Sequence, residues 1–343
     1  MSDTESIFTV NDLRKWFSTR SSSLLSVFSD QQYLKAVDDV DFEINRGEIV
    51  GLAGQSGCGK STLGELLVGL QSPTSGEILF EGENILDYDR NQLKNFRKEC
   101  QIVFQDPFES LNPRFPVARL VTEPLKIHNI GSRNQRAQKA REALSDAGLK
   151  PPEKYLNRLP DELSGGERQR VSIARALVLE PSFLLADEPV SMLDVSVKTG
   201  VLQLFKELQD KRDMTILYIS HDLSTISYLT DRTIIMYLGN IVEVGPTEKV
   251  IHEPAHPYTE TLLNAVPSPD PSEKREGTTI RGEIPDPINL PSGCRFHPNC
   301  KYATEKCKKD EPGLEPVAQY ANETSKKQGS VDQSVACYHP VSQ

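Results

Sequence analysis

The chain has no apolar run approaching the roughly 18 to 20 residues that cross a bilayer, and it has no surplus of positive charge. Its 343 residues carry 39 Lys and Arg against 49 Asp and Glu, a formal net charge of −10. That balance argues against nucleic acid as the principal partner, because phosphate backbones are bound through a cationic surplus. It argues equally against direct adsorption on anionic lipid, so work at a membrane would require docking by other proteins. The start, Met1-Ser2-Asp3-Thr4-Glu5-Ser6, lacks the basic and apolar regions of a signal peptide, which predicts a cytosolic location. No internal repeat is evident. Cysteine is scarce and uneven: Cys58 and Cys100 stand alone, while Cys294, Cys300, Cys307 and Cys337 fall in the last fifty residues. Six cysteines in a cytosolic chain do not suggest a disulfide framework. With 37% hydrophobic and 26% charged residues the chain has enough apolar material for one large or two ordinary domains.

What is present begins with Gly54-Gln55-Ser56-Gly57-Cys58-Gly59-Lys60-Ser61-Thr62, the spacing of a phosphate loop. Glycines there let backbone N–H groups converge on phosphates, and the helix that follows points its positive end at them. Lys60 is expected to reach the β- and γ-phosphates, with the Ser61 hydroxyl a ligand of Mg²⁺ and Thr62 beside the α/β-phosphates. The Cys58 backbone matters more than its sulfur, and alkylation of its thiol is expected to block nucleotide binding. A second glycine-rich segment, Leu163-Ser164-Gly165-Gly166-Glu167-Arg168-Gln169, opens its own helix and can offer N–H donors to the γ-phosphate of a nucleotide held elsewhere.

Short continuous apolar runs, Ile49 to Ala53, Phe183 to Ala186 and Thr215 to Ile219, suit strands buried on both faces of a parallel sheet. Each ends where chemistry begins: the phosphate loop, then Asp187-Glu188, then Ser220-His221-Asp222, as α/β sheets place sites at strand carboxyl ends. Gln105 likewise follows Ile102-Val103-Phe104. Of the two adjacent carboxylates, one can hold Mg²⁺ through water and the other can take a proton from an attacking water. Between Gln105 and Ser164 the spacing turns helical and polar, which predicts a helical insertion. Beyond Pro246 prolines accumulate, so regular elements must be short there, and a boundary is expected near residue 250. Residues 320–334 are expected to form a mobile surface loop.

The phosphate loop and the Leu163–Gln169 segment in one chain resemble an ABC-type ATPase, a family in which two subunits face each other head to tail and sandwich ATP. The implied fold is α/β, a P-loop NTPase with a RecA-like parallel-sheet core, an antiparallel β subdomain, a helical subdomain and a Cys-containing C-terminal extension. The expected division is 1–105 with 164–250 for the ATPase core, 106–163 for the helical subdomain and 251–343 for the extension. The resemblance makes Gln105 the Mg²⁺ and water sensor, Asp187 the water-mediated Mg²⁺ holder, Glu188 the general base and His221 the γ-phosphate switch. Ser191-Met192-Leu193-Asp194 resembles the D-loop that crosses the dimer seam, with Met192 in place of the usual Ala. In Leu13-Arg14-Lys15-Trp16-Phe17, Phe17 is the candidate adenine-stacking aromatic, with Tyr33 able to reach the same face.

Three further stretches, Val103 to Arg114, Leu163 to Arg170 and His256-Pro257-Tyr258-Thr259, look like the oligopeptide/dipeptide importer ATPases. Ser61-Thr62-Leu63-Gly64 is closer to the second, F-type, of their two ATPase subunits. Cys294, Cys300, Cys307 and Cys337 follow a C-x5-C-x6-C-x29-C pattern. Four thiolates in a proline-rich segment suggest a metal centre, and spacing leaves iron–sulfur and zinc open, His297 and His339 being available as well. The resemblance implies a [4Fe-4S] cluster, with zinc or free thiols as the alternatives. It also implies ATP and Mg²⁺, a second ATPase subunit in a hetero- or homodimer, two transmembrane permease subunits, an indirect extracytoplasmic binding protein, and a peripheral place on the cytoplasmic face of the membrane. Import of oligosaccharides or nickel is the alternative within transport. A soluble ABC ATPase of DNA repair or translation would usually carry tandem cassettes or a coiled-coil arm, and a non-hydrolysing regulatory cassette sits poorly with intact Glu188 and His221.

Overall fold

The protein is described by a computed structural model covering residues 5–19, 32–265, 285–317 and 333–341. Its strands are β1 (Ser6–Ser18), β2 (Tyr33–Asn45), β3 (Ile49–Ala53), β4 (Ser75–Phe80), β5 (Glu83–Asn84), β6 (Cys100–Val103), β7 (Phe183–Asp187), β8 (Thr215–Ser220), β9 (Arg232–Tyr237), β10 (Asn240–Pro246), β11 (Glu315–Pro316) and β12 (Ser334–Val335). They form two sheets. A four-stranded antiparallel sheet has the order β2-β1-β4-β5, and an eight-stranded sheet the order β11-β12-β10-β9-β3-β8-β7-β6. Within the larger sheet β6, β7, β8, β3 and β9 run parallel, and β10, β12 and β11 add antiparallel strands at one edge.

The parallel strands are the continuous apolar runs of the sequence. β3 and β8 are buried at every residue, and β7 at every residue but Asp187. Burying a Leu or Ile side chain fully stabilises by about 1.5 to 3 kcal/mol, so a strand such as Thr215–Ser220 has no comparable solution at a surface. Above this layer the antiparallel sheet packs through Phe8, whose ring meets Phe80, Phe96 and Phe183 at 5.1, 6.5 and 4.8 Å.

The helices are α1 (Lys60–Leu67), α2 (Arg90–Glu99), α3 (Pro107–Ser110), α4 (Val117–Ile127), α5 (Arg133–Asp146), α6 (Gly165–Leu177), α7 (Val195–Arg212), α8 (Leu223–Leu229), α9 (Thr247–His252), α10 (Pro257–Asn264) and α11 (Glu305–Lys309). Several starts are written in the sequence. Asp89, Ser132 and Ser164 each cap the helix that follows, with Gln92, Gln135 and Glu167 closing a capping box. α4, α5 and α6 pack together through Leu120, Val121, Leu125, Ala140, Ala143, Leu144 and Val171. Among the described residues no helix is long and apolar enough to cross a membrane.

The proline-rich C-terminal part has short elements, and it is joined edge-on to the large sheet: β12 pairs with β10 through Glu243↔Val335 and Val244↔Ser334. The segment expected as a loop, 320–334, lies outside the described residues except for Gln333 and Ser334. Glu243, fully buried, anchors this junction. Its carboxylate accepts from the Ala255 and His256 N–H groups at 2.8 and 2.9 Å and from Gln333 Nε2 at 2.7 Å. Beside it His256 caps α10, its Nδ1 accepting the Tyr258 N–H at 3.0 Å.

Burial holds the His256 imidazole neutral, down to about 3 from its ordinary 6.5. An unfolded chain takes up a proton there below about pH 6.5 that the folded chain refuses, so stability falls as the pH drops through that window. Asn keeps a cap acceptor but does not titrate. Between about pH 6 and pH 4.5 the wild type is therefore expected to lose about 1.4 kcal/mol per pH unit more than His256→Asn. Urea midpoints of both proteins across that range check it.

Candidate functional site

The carboxyl ends of the parallel strands come to one level because their registers pair Ala53 with Ser220, Asp187 with Ile219 and Val103 with Ala186. The next residues of each chain therefore meet. A cavity of about 690 Å³ opens there, lined by Phe17, Leu34 and Ala36 at one end, Gly54 to Gly57 and Gly59 to Thr62 along its floor, and Gln105, Glu188 and His221 at the other.

The floor is backbone held in positions that exclude side chains. At Gly59, φ is +106° and a Cβ would stand 1.9 Å from the Ala36 carbonyl oxygen; at Gly54, φ is +152° and the clash would be with the Met236 carbonyl at 2.2 Å. Lys60, 5% exposed, curls back so that its Nζ donates to the Gly54 and Gln55 carbonyls at 2.8 and 3.1 Å. α1 starts at this lysine, so its free N–H groups face the cavity.

At the other end Glu188 is the meeting point. His221 Nδ1 lies 2.9 Å from its Oε1, and Gln105 Nε2 donates to its Oε2 at 3.3 Å. Glu188 sits in the left-handed region at φ +44°, a conformation unusual for a residue with a Cβ, held by its N–H on the Ile219 carbonyl and by Ser191 on its own carbonyl. Asp187 is behind it. Burial raises the Asp187 carboxyl above the usual range, a hydrogen bond from Ser61 works the other way, and its buried Oδ1 has no protein partner.

The expected site residues divide by place. Gln105, Glu188, His221 and the phosphate loop converge, with Asp187 and Cys58 just below the surface of the cavity. Phe17, not Tyr33, lines it: β1 and β2 pair Phe17 with Leu34 on the cavity side. Ser164, Gly165, Gly166, Glu167 and Asp194 do not line it. Ser164 Oγ accepts the Glu167 N–H at 3.3 Å while the Glu167 carboxylate accepts the Ser164 N–H at 2.8 Å, and those bonds hold the Glu167 carboxyl below its ordinary range. Gly166 is required by packing, since a Cβ would come 2.4 Å from Val197 of α7. Asp194 stands at the N-cap position of α7, without a side-chain capping bond, beside the exposed Met192 and Val195.

Tyr258 is a site residue that pattern reading missed in that role. Fully buried in α10, two hundred residues from the phosphate loop, it accepts the Gln55 N–H on its hydroxyl at 2.9 Å. Its place in His256-Pro257-Tyr258-Thr259 was the one available signal.

The expected [4Fe-4S] cluster, and zinc in its place, are corrected. Among the described residues no group of three or more His, Cys, Asp or Glu side chains is arranged to hold a metal ion. Cys294, Cys300, Cys307 and Cys337 are free thiols around a cavity of only about 10 Å³, scarcely room for one water. Burial pushes the Cys294 thiol up to about 11 and the Cys337 thiol up to about 12. His297 Nδ1 is engaged with the Cys294 carbonyl and His339 Nε2 with the Thr304 hydroxyl. The four cysteines act as small apolar packing residues beside Phe296.

A phosphate loop at a parallel strand end, with a lysine, a buried aspartate and a clamped glutamate around one cavity, defines a nucleoside-triphosphate hydrolase of the P-loop class. The ABC transporter family matches residues 37–191, and the family of oligopeptide/dipeptide transporter C-terminal regions matches 242–307. The dipeptide transport ATP-binding protein DppF of Haemophilus influenzae is 41% identical over 327 residues, 95% of this chain and 94% of that one. The oligopeptide transport ATP-binding protein AppF of Bacillus subtilis is 43% identical over 317 residues, 92% and 95%. Among solved structures, the dimeric bacterial ABC transporter cassette MJ0796 superposes with a TM-score of 0.61 at 29% identity, covering 70% of this chain and 98% of that one, and is also known bound to ADP and phosphate after hydrolysis. CbiO1 of Clostridium perfringens gives 0.62 at 28% identity, over 73% and 92%. This chain belongs to the ABC transporter ATPase family, in its oligopeptide/dipeptide branch, and is an ATPase.

Cys58 illustrates what the geometry adds. Its side chain is 4% exposed and burial raises the thiol above its ordinary value, so it is shielded by protein before any nucleotide arrives. Maleimide labelling at neutral pH is expected to be at least about tenfold slower in the folded chain than in urea, with or without ATP, as timed quenching and mass spectrometry would read.

Proposed function

We propose that this chain is the F-type ATPase subunit that powers import of oligopeptides or dipeptides through a membrane permease. The observation that carries the reading is the clamp on Glu188: one carboxylate, held by Gln105 and His221, faces a cavity floored by a complete phosphate loop. ATP is read as lying with its base toward Phe17 and its phosphates over Gly57 to Thr62, and Lys60 turns from its carbonyl partners to the β- and γ-phosphates. Glu188 takes a proton from the attacking water, Gln105 orients that water, and His221 turns from Glu188 to donate its ring N–H to the γ-phosphate. Mg²⁺ suits this corner, because the donors are oxygens of Ser61, Asp187 and Gln105, and Asp187 Oδ1 is buried without a protein partner. When bound it would neutralise charge on the β- and γ-oxygens.

Ser164 to Glu167 stand apart from the chain's own cavity, which fits a role toward nucleotide held by a second ATPase subunit, a like or a paralogous one. Asp194 and the exposed Met192 fit the seam between the two. The core (1–105 with 164–250) closes, the helical part (106–163) and the Gln105 loop transmit the movement to two permease subunits, and the extension is 251–343. The subunit is read as peripheral, on the cytoplasmic face, with cargo delivered by an extracytoplasmic binding protein.

Glu188→Gln keeps the shape of the clamp and removes the base. It is expected to bind ATP normally, to shift toward a dimer when ATP is present, and to release phosphate about 10² to 10⁴ times more slowly. Near-normal turnover would remove Glu188 from that role. A Ser164→Cys and Gly57→Cys pair that never crosslinks between copies in ATP would overturn the shared-nucleotide reading.

A further inference from the structure

We propose that Arg295, in the C-terminal extension, is a positioning residue for the base of the nucleotide, so that the extension is a working part of the ATP site. Arg295 is 7% exposed and spends each arm of its guanidinium on a different element. Nη2 pairs with Asp38 Oδ2 at 2.8 Å, Nη1 donates to the Leu238 carbonyl at 2.6 Å, and Nε pairs with Glu311 at 3.0 Å. Two of these partners lead to the cavity.

The first route runs through Asp38 on β2, itself buried. Its Oδ1 accepts the indole N–H of Trp16 at 2.8 Å, and its Oδ2 also takes Lys35 Nζ at 3.3 Å. Lys35 Nζ lies 4.6 Å from the centre of the Trp16 ring, and the register pairs Trp16 with Lys35 and Phe17 with Leu34. One face of the β1–β2 pair is therefore pinned by Arg295 and Asp38, and its other face presents Phe17, Leu34 and Ala36 to the cavity. Phe17 is 37% exposed, so packing alone does not hold it, and the pinned Trp16 next to it does.

The second route runs through the turn between β9 and β10. Leu238, whose carbonyl Arg295 holds, is in the left-handed region at φ +44°. The next residue, Gly239, accepts the Asp38 N–H at 2.8 Å and donates to the Cys58 carbonyl of the phosphate loop at 2.9 Å. The neighbouring Phe296 packs on Tyr258 at 5.5 Å between ring centres, and Tyr258 carries the Gln55 N–H. Both ends of the nucleotide site thus lean on consecutive residues of the extension. A permanently charged guanidinium suits this position, because its three nitrogens are spread in a fixed plane and reach partners on three elements, whereas the donors of a lysine radiate from one nitrogen.

Loss of Arg295 leaves the phosphate-facing atoms in place and loosens the platform under the base, so the effect falls on binding and depends on the base. This rests on Phe17 as the base platform, and the test separates the two. Full-length wild type, Arg295→Met, Arg295→Lys, Asp38→Asn and Phe17→Ala are assayed for hydrolysis of ATP and of CTP, a base with a smaller stacking surface. Arg295→Met is expected to raise KM for ATP by about 3- to 10-fold with kcat within about twofold, to raise KM for CTP far less, and Arg295→Lys to fall between. Asp38→Asn, which removes the charge with little change of shape, is expected to follow Arg295→Met if the methionine variant folds poorly.

Trp16 is the sole tryptophan of the chain, so its emission reports the platform directly. Arg295→Met is expected to red-shift it and Phe17→Ala to leave it near the wild-type position. Equal losses for ATP and CTP, a fall in kcat at unchanged KM, or an unshifted Trp16 emission in both Arg295→Met and Asp38→Asn would overturn the proposal while leaving the ATP site intact. An ATP-to-CTP ratio unchanged in Phe17→Ala would overturn the base platform itself, and the proposal with it.

Discussion

Everything in this molecule depends on the parallel register that sets β3 beside β8 and β8 beside β7. Ala53, Ser220 and Asp187 end at one level, and a slip of one residue would turn every side chain of the slipped strand to the other face and move the chemistry apart by a strand rise of about 3.3 Å. Burial on both faces enforces that register, since almost no position of these strands tolerates water. The site is built where the enforced part stops, on residues that leave the sheet at once into tight backbone: the phosphate loop after β3, the left-handed Glu188 after β7, and His221 after β8. Rigidity beneath and freedom above let charged groups stand close together without collapsing into ion pairs chosen by chance.

The second constraint is polar. Buried carboxylates in this protein are joints. Glu243 gathers N–H groups from the start of α10 and an amide from Gln333; Asp38 gathers an indole, an ammonium and a guanidinium. Each desolvated charge is tolerable only with its donors present, so each ties together segments far apart in sequence. The C-terminal part, too poor in apolar residues to fold around its own centre, is held by these joints and by the aromatic cluster of Tyr237, Tyr258 and Phe296. That is a different solution from the metal centre its cysteines suggest. The thiols are there, but they are gathered around scarcely a water's volume.

Legibility follows the range of the interactions. Local geometry demands particular residue types at fixed offsets, so the phosphate loop, the capping boxes at Ser132 and Ser164, and the buried strands at 183–187 and 215–220 could be read directly. Gln105, Asp187, Glu188 and His221 were legible because each lies at or just beyond the end of a strand. Phe17 and Tyr33 could not be told apart in sequence, because the choice depends on which face of a bulged β1–β2 pair meets the cavity. Gly166 was legible as part of a glycine-rich turn opening a helix, whereas its close approach to Val197, where a Cβ would stand 2.4 Å away, was not.

By itself the sequence determined that this chain binds a nucleoside triphosphate through a phosphate loop, carries the carboxylates of an ATPase, and has the elements of a parallel α/β core, because spacing within a few residues dictates each of those. Only the tertiary structure decided that the four distal cysteines pack as thiols, that Tyr258 supports the loop at Gln55, and that Arg295 reaches Asp38. The last two contacts join residues 203 and 257 positions apart, and a charge or a hydroxyl so placed finds its partner through the packing of the sheets between them, which no local pattern encodes.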